Sequence, residues 1–222
     1  MARIAIALHQ RSGAPQDLVP AYPEPLRSRI ECQVVVVPLL DAQRADPGVF
    51  HDVDAVVVGG GLTPAYWERL QQAASAISRV VAAGAPYLGF SAGAMLAPQR
   101  ALVGGYRVDG VDVCSEECSE GLETVDVRDG LGLVPFAVDV HAAQAGTLSR
   151  AVGAVTAGLV GWAVAIDENT AAVLGRPGDE DYEVIGTGNC WDIRLTGGGA
   201  TVSVRSPEGL QWRGPAREAA PG

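Results

Sequence analysis

The sequence predicts a three-layer αβα fold with a mostly parallel β-sheet and antiparallel strands near its C-terminus. Apolar runs of strand length recur along the chain, and those at residues 4–8, 33–38 and 54–58 suit strands buried on both faces, as parallel sheets require. Segments with apolar residues at helical spacing lie between such runs. A chain of 222 residues, of which 48% are hydrophobic, can bury the core of one such domain without disulfides or metal ions.

The N-terminal half is predicted to alternate strands with helices. A proline-rich loop and a short helix over residues 26–30 follow the first strand, and the third strand ends in three glycines. A longer helix comes next, for which Thr63 is the predicted N-cap and Pro64 the first helical residue. Its apolar residues recur at helical spacing until Gly84, the predicted stop.

The C-terminal half is predicted to be richer in strands and turns. A strand over residues 137–141 ends on a histidine, and a helix over 148–159 follows. Further short strands, the last ones antiparallel by their spacing and turns, are predicted over 107–113, 122–127, 162–166, 171–174, 183–185 and 201–204. No linker or repeat divides the chain, so we expect one domain over 1–213 and a frayed tail over 214–222.

Composition argues against several classes of function. The formal net charge is −10 and all 16 basic side chains are arginines, so nucleic acid is not an expected partner and a catalytic lysine is excluded. No apolar run has the length of a membrane span, and the apolar N-terminal segment stops at His9 without a cleavage site, so we expect a cytoplasmic protein without membrane contact. Four cysteines and three histidines are too few and too scattered for a disulfide framework or a zinc site.

Ser91 lies at the corner around which the chain is organised. A short apolar strand over 86–90 runs into a small-residue helix over 92–97, and Gly89 and Gly93 flank the serine. This Gly-x-Ser-x-Gly pattern between a strand and a helix is typical of a nucleophile on a sharp turn, where glycines let the two elements approach closely. The pentapeptide also suits a plain glycine-rich turn, so the corner alone leaves both interpretations open.

Three consecutive glycines, Gly59, Gly60 and Gly61, follow the third strand. Their backbone amides are uncovered at the carboxyl end of the sheet, where open α/β sheets bind ligands. The amides of Gly60, Gly61 and Ala92, the residue after Ser91, are therefore candidates for an oxyanion hole. The spacing is not that of a dinucleotide-binding loop, because Gly-x-Gly-x-x-Gly is absent.

His141 is the histidine best placed to act as a base for Ser91, because it ends a predicted strand and imidazole titrates near neutral pH. A carboxylate is expected to orient it. The acidic loop over 114–121 offers three glutamates, and Asp139 lies two residues before the histidine on the same strand face. At most one of these carboxylates is expected to be catalytic.

Four motifs in this order resemble the dipeptidase E and cyanophycinase family of serine peptidases. They are Gly-Gly-Gly at 59–61, Gly-Phe-Ser-Ala-Gly-Ala at 89–94, Gly-Leu-Gly-Leu at 130–133 leading to Asp-Val-His at 139–141, and Gly-Trp-Ala-Val-Ala-Ile-Asp-Glu-Asn-Thr-Ala at 161–171. The resemblance covers most of the chain. It implies a flavodoxin-like fold similar to that of class I glutamine amidotransferases, with serine in place of their cysteine.

The resemblance also implies roles for individual residues. Ser91 is the implied nucleophile and His141 the base, with the glycine triplet and Ala92 as the oxyanion hole. The family's acid lies between the nucleophile and the histidine. Glu117 and Glu120 both lie in that segment, and Glu117 is the slightly preferred candidate. The implied reaction is cleavage of a small peptide or amide through an acyl-enzyme, without a cofactor or metal. A homodimer is a further possible assembly of this protein.

Two segments depart from the family pattern. Leu62 stands where family members often carry asparagine or glutamine, and residues 142–147 lack the aromatic residue and arginines that often follow the histidine. The family's preference for acidic substrates is therefore not expected to carry over, and the negative net charge adds mild repulsion. A non-catalytic binding protein that keeps the fold and the serine corner is the alternative function.

Two other enzyme classes fit less well. A glutamine amidotransferase would need a cysteine at the corner, and Cys190 has no comparable strand-to-helix setting. An α/β-hydrolase also places serine, acid and histidine in this chain order. The histidine of that class usually lies near the C-terminus, whereas a long segment follows His141.

Overall fold

The computed structural model describes residues 1–9, 21–40 and 43–208, and all elements below lie in these ranges. The α-helices are α1 (Pro23–Arg27), α2 (Thr63–Leu70), α3 (Ala74–Ala82), α4 (Ala92–Leu96) and α5 (Leu148–Thr156). The β-strands are β1 (Ala2–His9), β2 (Cys32–Leu39), β3 (Ala55–Val58), β4 (Tyr87–Gly89), β5 (Arg100–Gly104), β6 (Arg107–Val108), β7 (Val111–Asp112), β8 (Asp126–Asp129), β9 (Ala137–Val140), β10 (Trp162–Ile166), β11 (Thr170–Val173), β12 (Glu183–Gly186), β13 (Cys190–Thr196) and β14 (Gly199–Arg205).

The first four strands form a parallel sheet in the order β2-β1-β3-β4. Ile4, Ile6 and Leu8 of β1 pack on the face covered by α1, while the alternate residues Ala5 and Ala7 join the larger core beneath α2 and α3. This alternation places apolar side chains on both faces of the sheet. The sheet is therefore the middle of three layers, as predicted.

β2 is less buried than its four consecutive valines predict. It forms the edge of the sheet, and residues 34–36 are only half-buried. β3 has a similar composition but lies between β1 and β4, and its residues 56–58 are buried. The difference arises because the position of a strand within the sheet, and not its composition, decides how many neighbours cover it.

A second four-stranded sheet has the order β14-β13-β10-β9. β9 and β10 are parallel, whereas β13 is antiparallel to both β10 and β14. α5 packs on this sheet, and its Ala151 and Ala154 share a core with Phe136 and Ile193. The predicted α/β class with antiparallel C-terminal strands is confirmed by this arrangement.

β4 of the first sheet and β9 of the second sheet line opposite sides of one groove. These strands are not hydrogen-bonded to each other in the part of the chain that the structure describes, and a groove of about 920 Å³ lies between them, lined by residues that include Leu88, Val138 and Ile166. α4 directly follows β4 and packs on β9. The residues that follow β4 and β9 therefore come together above the groove, where the candidate site lies.

Some predicted elements differ from the observed ones. β5 and β13 are absent from the predicted elements. The run of β5 carries neither a clear alternation nor a helical period, whereas residues 191–196 of β13 do alternate apolar and polar side chains, a strand signal that the prediction missed. The helix predicted from Thr63 onward is divided by a 3₁₀ turn over Gln71–Ala73 into α2 and α3. Leu62 is the residue before its first turn and Thr63 is already helical, so the predicted side-chain cap is not formed.

The helix lengths, the cysteines and the C-terminal tail complete the description of the fold. None of the helices in the described ranges is both long and apolar enough to cross a membrane. Cys32, Cys114, Cys118 and Cys190 are all free thiols. The tail predicted to fray, residues 214–222, lies outside the described residues.

Candidate active site

Ser91 occupies a sharp turn between β4 and α4. Its backbone has φ 50° and ψ −110°, a left-handed conformation that a residue with a side chain rarely adopts. A Cβ atom at Gly89 would lie 2.6 Å from the Gly93 carbonyl carbon, and one at Gly93 would collide with the carbonyl oxygen of Val58. Glycine is therefore required on both sides of the serine. The strained turn presents the Ser91 hydroxyl at the carboxyl end of the sheet.

His141 lies opposite Ser91, as the first residue after β9. Its Nε2 is 3.1 Å from the Ser91 Oγ, within hydrogen-bond distance. The histidine backbone is also left-handed, with φ 61°. The two predicted residues, fifty positions apart in the chain, are thus brought together with the geometry of a nucleophile and its base.

Glu168 supplies the carboxylate that contacts the other side of the imidazole. Its Oε1 is 3.2 Å from His141 Nδ1. This contact follows from the sheet, because β10 runs parallel to β9 with Ile166 paired to Val140. Glu168, two residues past β10, therefore stands beside His141, one residue past β9. The His141 and Glu168 side chains are 40% and 48% exposed, so this half of the site opens to solvent.

Glu117 and Glu120, the glutamates favoured from the sequence as the acid, occupy a different place. Among the described residues, neither is hydrogen-bonded to His141. Glu120 Oε2 instead accepts a hydrogen bond from the Thr63 backbone N–H at 3.0 Å, and it caps the first turn of α2 from outside the helix. Burial raises the pKa of Glu120, an effect that this hydrogen bond partly offsets.

Both glutamates line a recess of about 420 Å³ beside the glycine triplet. Gly61, Leu62 and Ser119 are other residues of its wall. Glu117 is exposed, and Glu120 is half-buried in a left-handed conformation with φ 58°. The acidic loop therefore forms a wall of negatively charged side chains next to the proposed oxyanion hole, a role that its sequence alone did not indicate.

Asp139, the remaining acidic candidate, is fully buried in an ion pair with Arg150 of α5. Arg150 Nη2 donates to Asp139 Oδ1 at 2.6 Å, and Arg150 Nε donates to Oδ2 at 2.8 Å. Arg150 Nη1 also donates to the Cys118 carbonyl at 2.5 Å and to the Gly105 carbonyl at 3.4 Å. The pair therefore fastens the acidic loop to the strand that ends at His141, and Asp139 is not positioned to orient the imidazole.

The three predicted oxyanion donors are not equivalent. The Gly60 N–H donates to the Tyr22 hydroxyl at 2.8 Å and is therefore already used. The amides of Gly61 and Ala92 donate to no protein acceptor in the part of the chain that the structure describes. A Cβ atom at Gly60 would lie 3.0 Å from Ser91 Cβ, which places the glycine triplet directly against the serine.

Other reactive groups fit the site less well. Burial raises the pKa of Cys190 to about 12, so this thiol is protonated at neutral pH and is a poor nucleophile. Within the described ranges no group of three or more His, Cys, Asp and Glu side chains has the geometry to hold a metal ion. The available chemistry is that of a serine, a histidine and a carboxylate in sequence.

Comparisons with known proteins give the family of the chain and similar folds. No curated protein matches the chain. A peptidase from an acI-B1 actinobacterium has a similar structure, with a TM-score of 0.58 and 18% identity over 90% of this chain and 82% of that one. A candidate peptidase E from Listeria monocytogenes EGD-e has a TM-score of 0.51 and 17% identity over 92% of this chain and 87% of that one. The model of peptidase family S51 matches residues 11–173, and the chain therefore belongs to peptidase family S51.

Proposed function

We propose that this chain is a serine peptidase or amidase, similar to dipeptidase E, that cleaves a small peptide or amide bond through an acyl-enzyme on Ser91. The observation that carries the proposal is the continuous contact from Ser91 Oγ to His141 Nε2 (3.1 Å) and from His141 Nδ1 to Glu168 Oε1 (3.2 Å). A serine hydroxyl is a weak nucleophile without such a base, and the base needs a partner that holds its tautomer and orientation.

In the proposed reaction, His141 keeps its proton on Nδ1 and donates a hydrogen bond from it to Glu168, which leaves Nε2 unprotonated and able to accept the Ser91 proton. As the proton moves, Ser91 Oγ attacks the carbonyl carbon of the substrate. The carbonyl oxygen becomes an oxyanion, and the free amides of Gly61 and Ala92 are the donors proposed to stabilise it. His141 then protonates the leaving amine, and water activated by the same histidine releases the acyl group.

The N-terminus of α4 adds little to oxyanion stabilisation by itself, because this helix has only one turn. Preorganisation comes instead from the tight packing around Ser91. Gly93 N–H donates to the Gly59 carbonyl at 3.1 Å, and Tyr87 Oη donates to the Gly93 carbonyl at 2.7 Å. The first contact ties α4 to the glycine triplet and the second ties α4 to β4, so both proposed donors are held in one packed unit.

The proposal predicts that an alkyl or aryl fluorophosphonate labels the protein at one site and that Ser91→Ala abolishes this labelling. Intact-protein mass spectrometry measures the adduct, and peptide mapping should place it on Ser91. The neighbouring corner residue Phe90, which is 57% exposed, offers a matched control, because Phe90→Ala leaves the serine in place and should still be labelled. Labelling of Ser91→Ala at the wild-type rate would contradict the proposal.

The recess beside Gly61 predicts a substrate preference by charge. Two glutamates lie in its wall and no arginine does among the described residues, so a carboxylate at the substrate's N-terminal side chain would be repelled. We expect kcat/KM for an Asp-Leu dipeptide to be about tenfold or more below that for Ala-Leu at low ionic strength, with salt narrowing the gap. Liquid chromatography of the released leucine measures both rates.

The double variant Glu117→Gln/Glu120→Gln should also reduce the difference in kcat/KM between Ala-Leu and Asp-Leu, because both substitutions remove charge without changing side-chain shape. A preference for Asp-Leu in the unmodified protein would show that the charge argument is wrong while leaving the serine mechanism intact. If no dipeptide or aryl amide is cleaved and no fluorophosphonate adduct forms, the non-catalytic binding protein becomes the better interpretation.

A further inference from the structure

Asp167 is a buried carboxylate that the proposed chemistry does not use. It directly precedes Glu168 and is 5% exposed. Its Oδ1 accepts hydrogen bonds from the Ala143 amide at 3.0 Å and the Trp191 indole N–H at 3.1 Å. Its Oδ2 accepts them from the backbone and side-chain N–H groups of Asn189, at 3.0 and 3.4 Å. Among the described residues no arginine pairs with Asp167, so these donors alone stabilise its charge.

These contacts belong to a ladder between two short loops. The histidine loop, residues 141–144, follows β9, and the acid loop, residues 166–168, ends β10 and leads away from it. Three hydrogen bonds join successive positions of the two loops: Ala142 N–H to the Ile166 carbonyl at 3.1 Å, Ala143 N–H to Asp167 Oδ1 at 3.0 Å, and Glu168 N–H to the Gln144 side-chain oxygen at 2.9 Å.

Asp167 makes the central bond of the three, and its carboxylate is buried. The ladder begins directly after His141, whose left-handed backbone needs surrounding contacts to hold it. The other oxygen of the same carboxylate accepts a hydrogen bond from Asn189, just before β13. This bond attaches both loops to the second sheet. A shift of Asp167 would move Glu168 and His141 relative to each other, although Asp167 touches neither the imidazole nor Ser91.

The donor set explains why a carboxylate is needed at this position. Each oxygen faces two N–H donors, so an amide in place of the carboxylate would turn its own NH₂ group toward two donors whichever way it rotated. Close packing leaves the side chain at position 167 little room to move, because a Cβ atom at Gly188 would already lie 2.6 Å from Asp167 Cβ. Asparagine should therefore force the histidine loop, the Asn189 segment or both to move.

We propose that Asp167 is a positioning residue that sets the distance between His141 and Glu168 by holding the histidine loop and the acid loop together. The inference rests on the proposed function, in which these two side chains are the base and its orienting carboxylate. Asp167 acts through them and does not contact the reacting atoms.

The test is the steady-state kinetics of Asp167→Asn on a neutral dipeptide amide. We expect kcat to fall about 10- to 100-fold with KM changed less than about threefold, because misplaced catalytic groups lower the rate of the chemical step and leave binding intact. Asp192→Asn is the matched control. Asp192 is also buried, on the neighbouring β13, but pairs with Arg194 at 3.0 Å and not with either loop. It should keep the wild-type kcat at temperatures where circular dichroism shows it folded.

A double variant separates positioning from an independent effect. If Asp167 acts through Glu168, Asp167→Asn should lower kcat no further, within about threefold, in a Glu168→Gln background. The inference would be overturned if Asp167→Asn kept the wild-type kcat. It would also be overturned if the fold-loss in kcat of the double variant equalled the product of the fold-losses of the two single variants. Failure of the proposed function is distinguishable, because the unmodified protein would then show neither turnover nor labelling of Ser91.

If Asp167→Asn does not fold, Trp191→Phe removes one donor to Asp167 and keeps its charge. We expect a smaller loss in kcat, about three- to tenfold, again with little change in KM. Trp162→Phe is its control, since the indole N–H of Trp162 is buried without a hydrogen-bond partner in the described structure. Equal kcat values for the two tryptophan variants would overturn the inference.

Discussion

Glu168→Gln is expected to lower kcat by about 10³-fold for a neutral peptide substrate, with KM changed by less than about threefold. Glutamine keeps the size of the side chain but can present an N–H group to His141 Nδ1, now 3.2 Å from Glu168 Oε1. The imidazole then favours the tautomer that carries its proton on Nε2, and it cannot accept the Ser91 proton. Initial rates at saturating substrate measure the effect.

The competing assignment of the acid is tested in the same assay. Glu117→Gln and Glu120→Gln are isosteric changes at glutamates that line the recess and do not contact His141 among the described residues. We expect each to lower kcat less than tenfold, well short of the loss for Glu168→Gln. A larger loss for Glu117→Gln or Glu120→Gln than for Glu168→Gln would assign the acid to the loop before the histidine, as the sequence first indicated.

Arg150→Met is expected to lower the free energy of unfolding by about 3–5 kcal/mol, because it leaves the Asp139 carboxylate buried without its partner. Arg150 and Asp139 side chains are 2% and 0% exposed, and two short hydrogen bonds join them. Burial acts to lower the pKa of Arg150, but the adjacent Asp139 outweighs burial and raises it, so the guanidinium stays charged. Urea denaturation followed by circular dichroism measures the change.

An exposed ion pair provides the matched control for this prediction. Arg100 and Asp129 approach to 3.6 Å, with side chains 54% and 93% exposed, so Arg100→Met should change the free energy of unfolding by about 0–1 kcal/mol. Adding Asp139→Asn to Arg150→Met should recover part of the loss, since it removes the uncompensated charge. Equal effects of Arg150→Met and Arg100→Met would show that the buried pair stabilises the fold no more than the exposed pair does.

The serine corner could be predicted from the sequence because its chemistry is local. Gly89, Ser91 and Gly93 lie within five residues, and the close approach of β4 and α4 that excludes side chains at 89 and 93 is specified by those residues themselves. His141 could also be found, since it ends an apolar strand and the carboxyl ends of parallel strands share one edge of the sheet.

Glu168 was present in the sequence motif at 161–171 but was not selected as the acid. It follows the predicted strand over 162–166, so the signal was a carboxylate just past a strand end. The sequence does not show that β9 pairs in parallel with β10. This pairing places Ile166 beside Val140 and so brings Glu168 next to His141. Strand pairing joins residues far apart in the chain, and apolar composition does not specify which buried strands become neighbours.

The amino-acid sequence by itself determined the α/β class, the sharp turn at Ser91 and the placement of His141 at the same edge of the sheet, because these depend on composition, on spacing within a few residues and on strand ends. Only the tertiary structure decided which carboxylate meets His141, that Tyr22 takes the Gly60 amide, and that Glu120 caps α2. Each of these contacts joins segments at least 27 residues apart. Their partners are selected by how the sheets and loops pack, and local sequence patterns do not encode that choice.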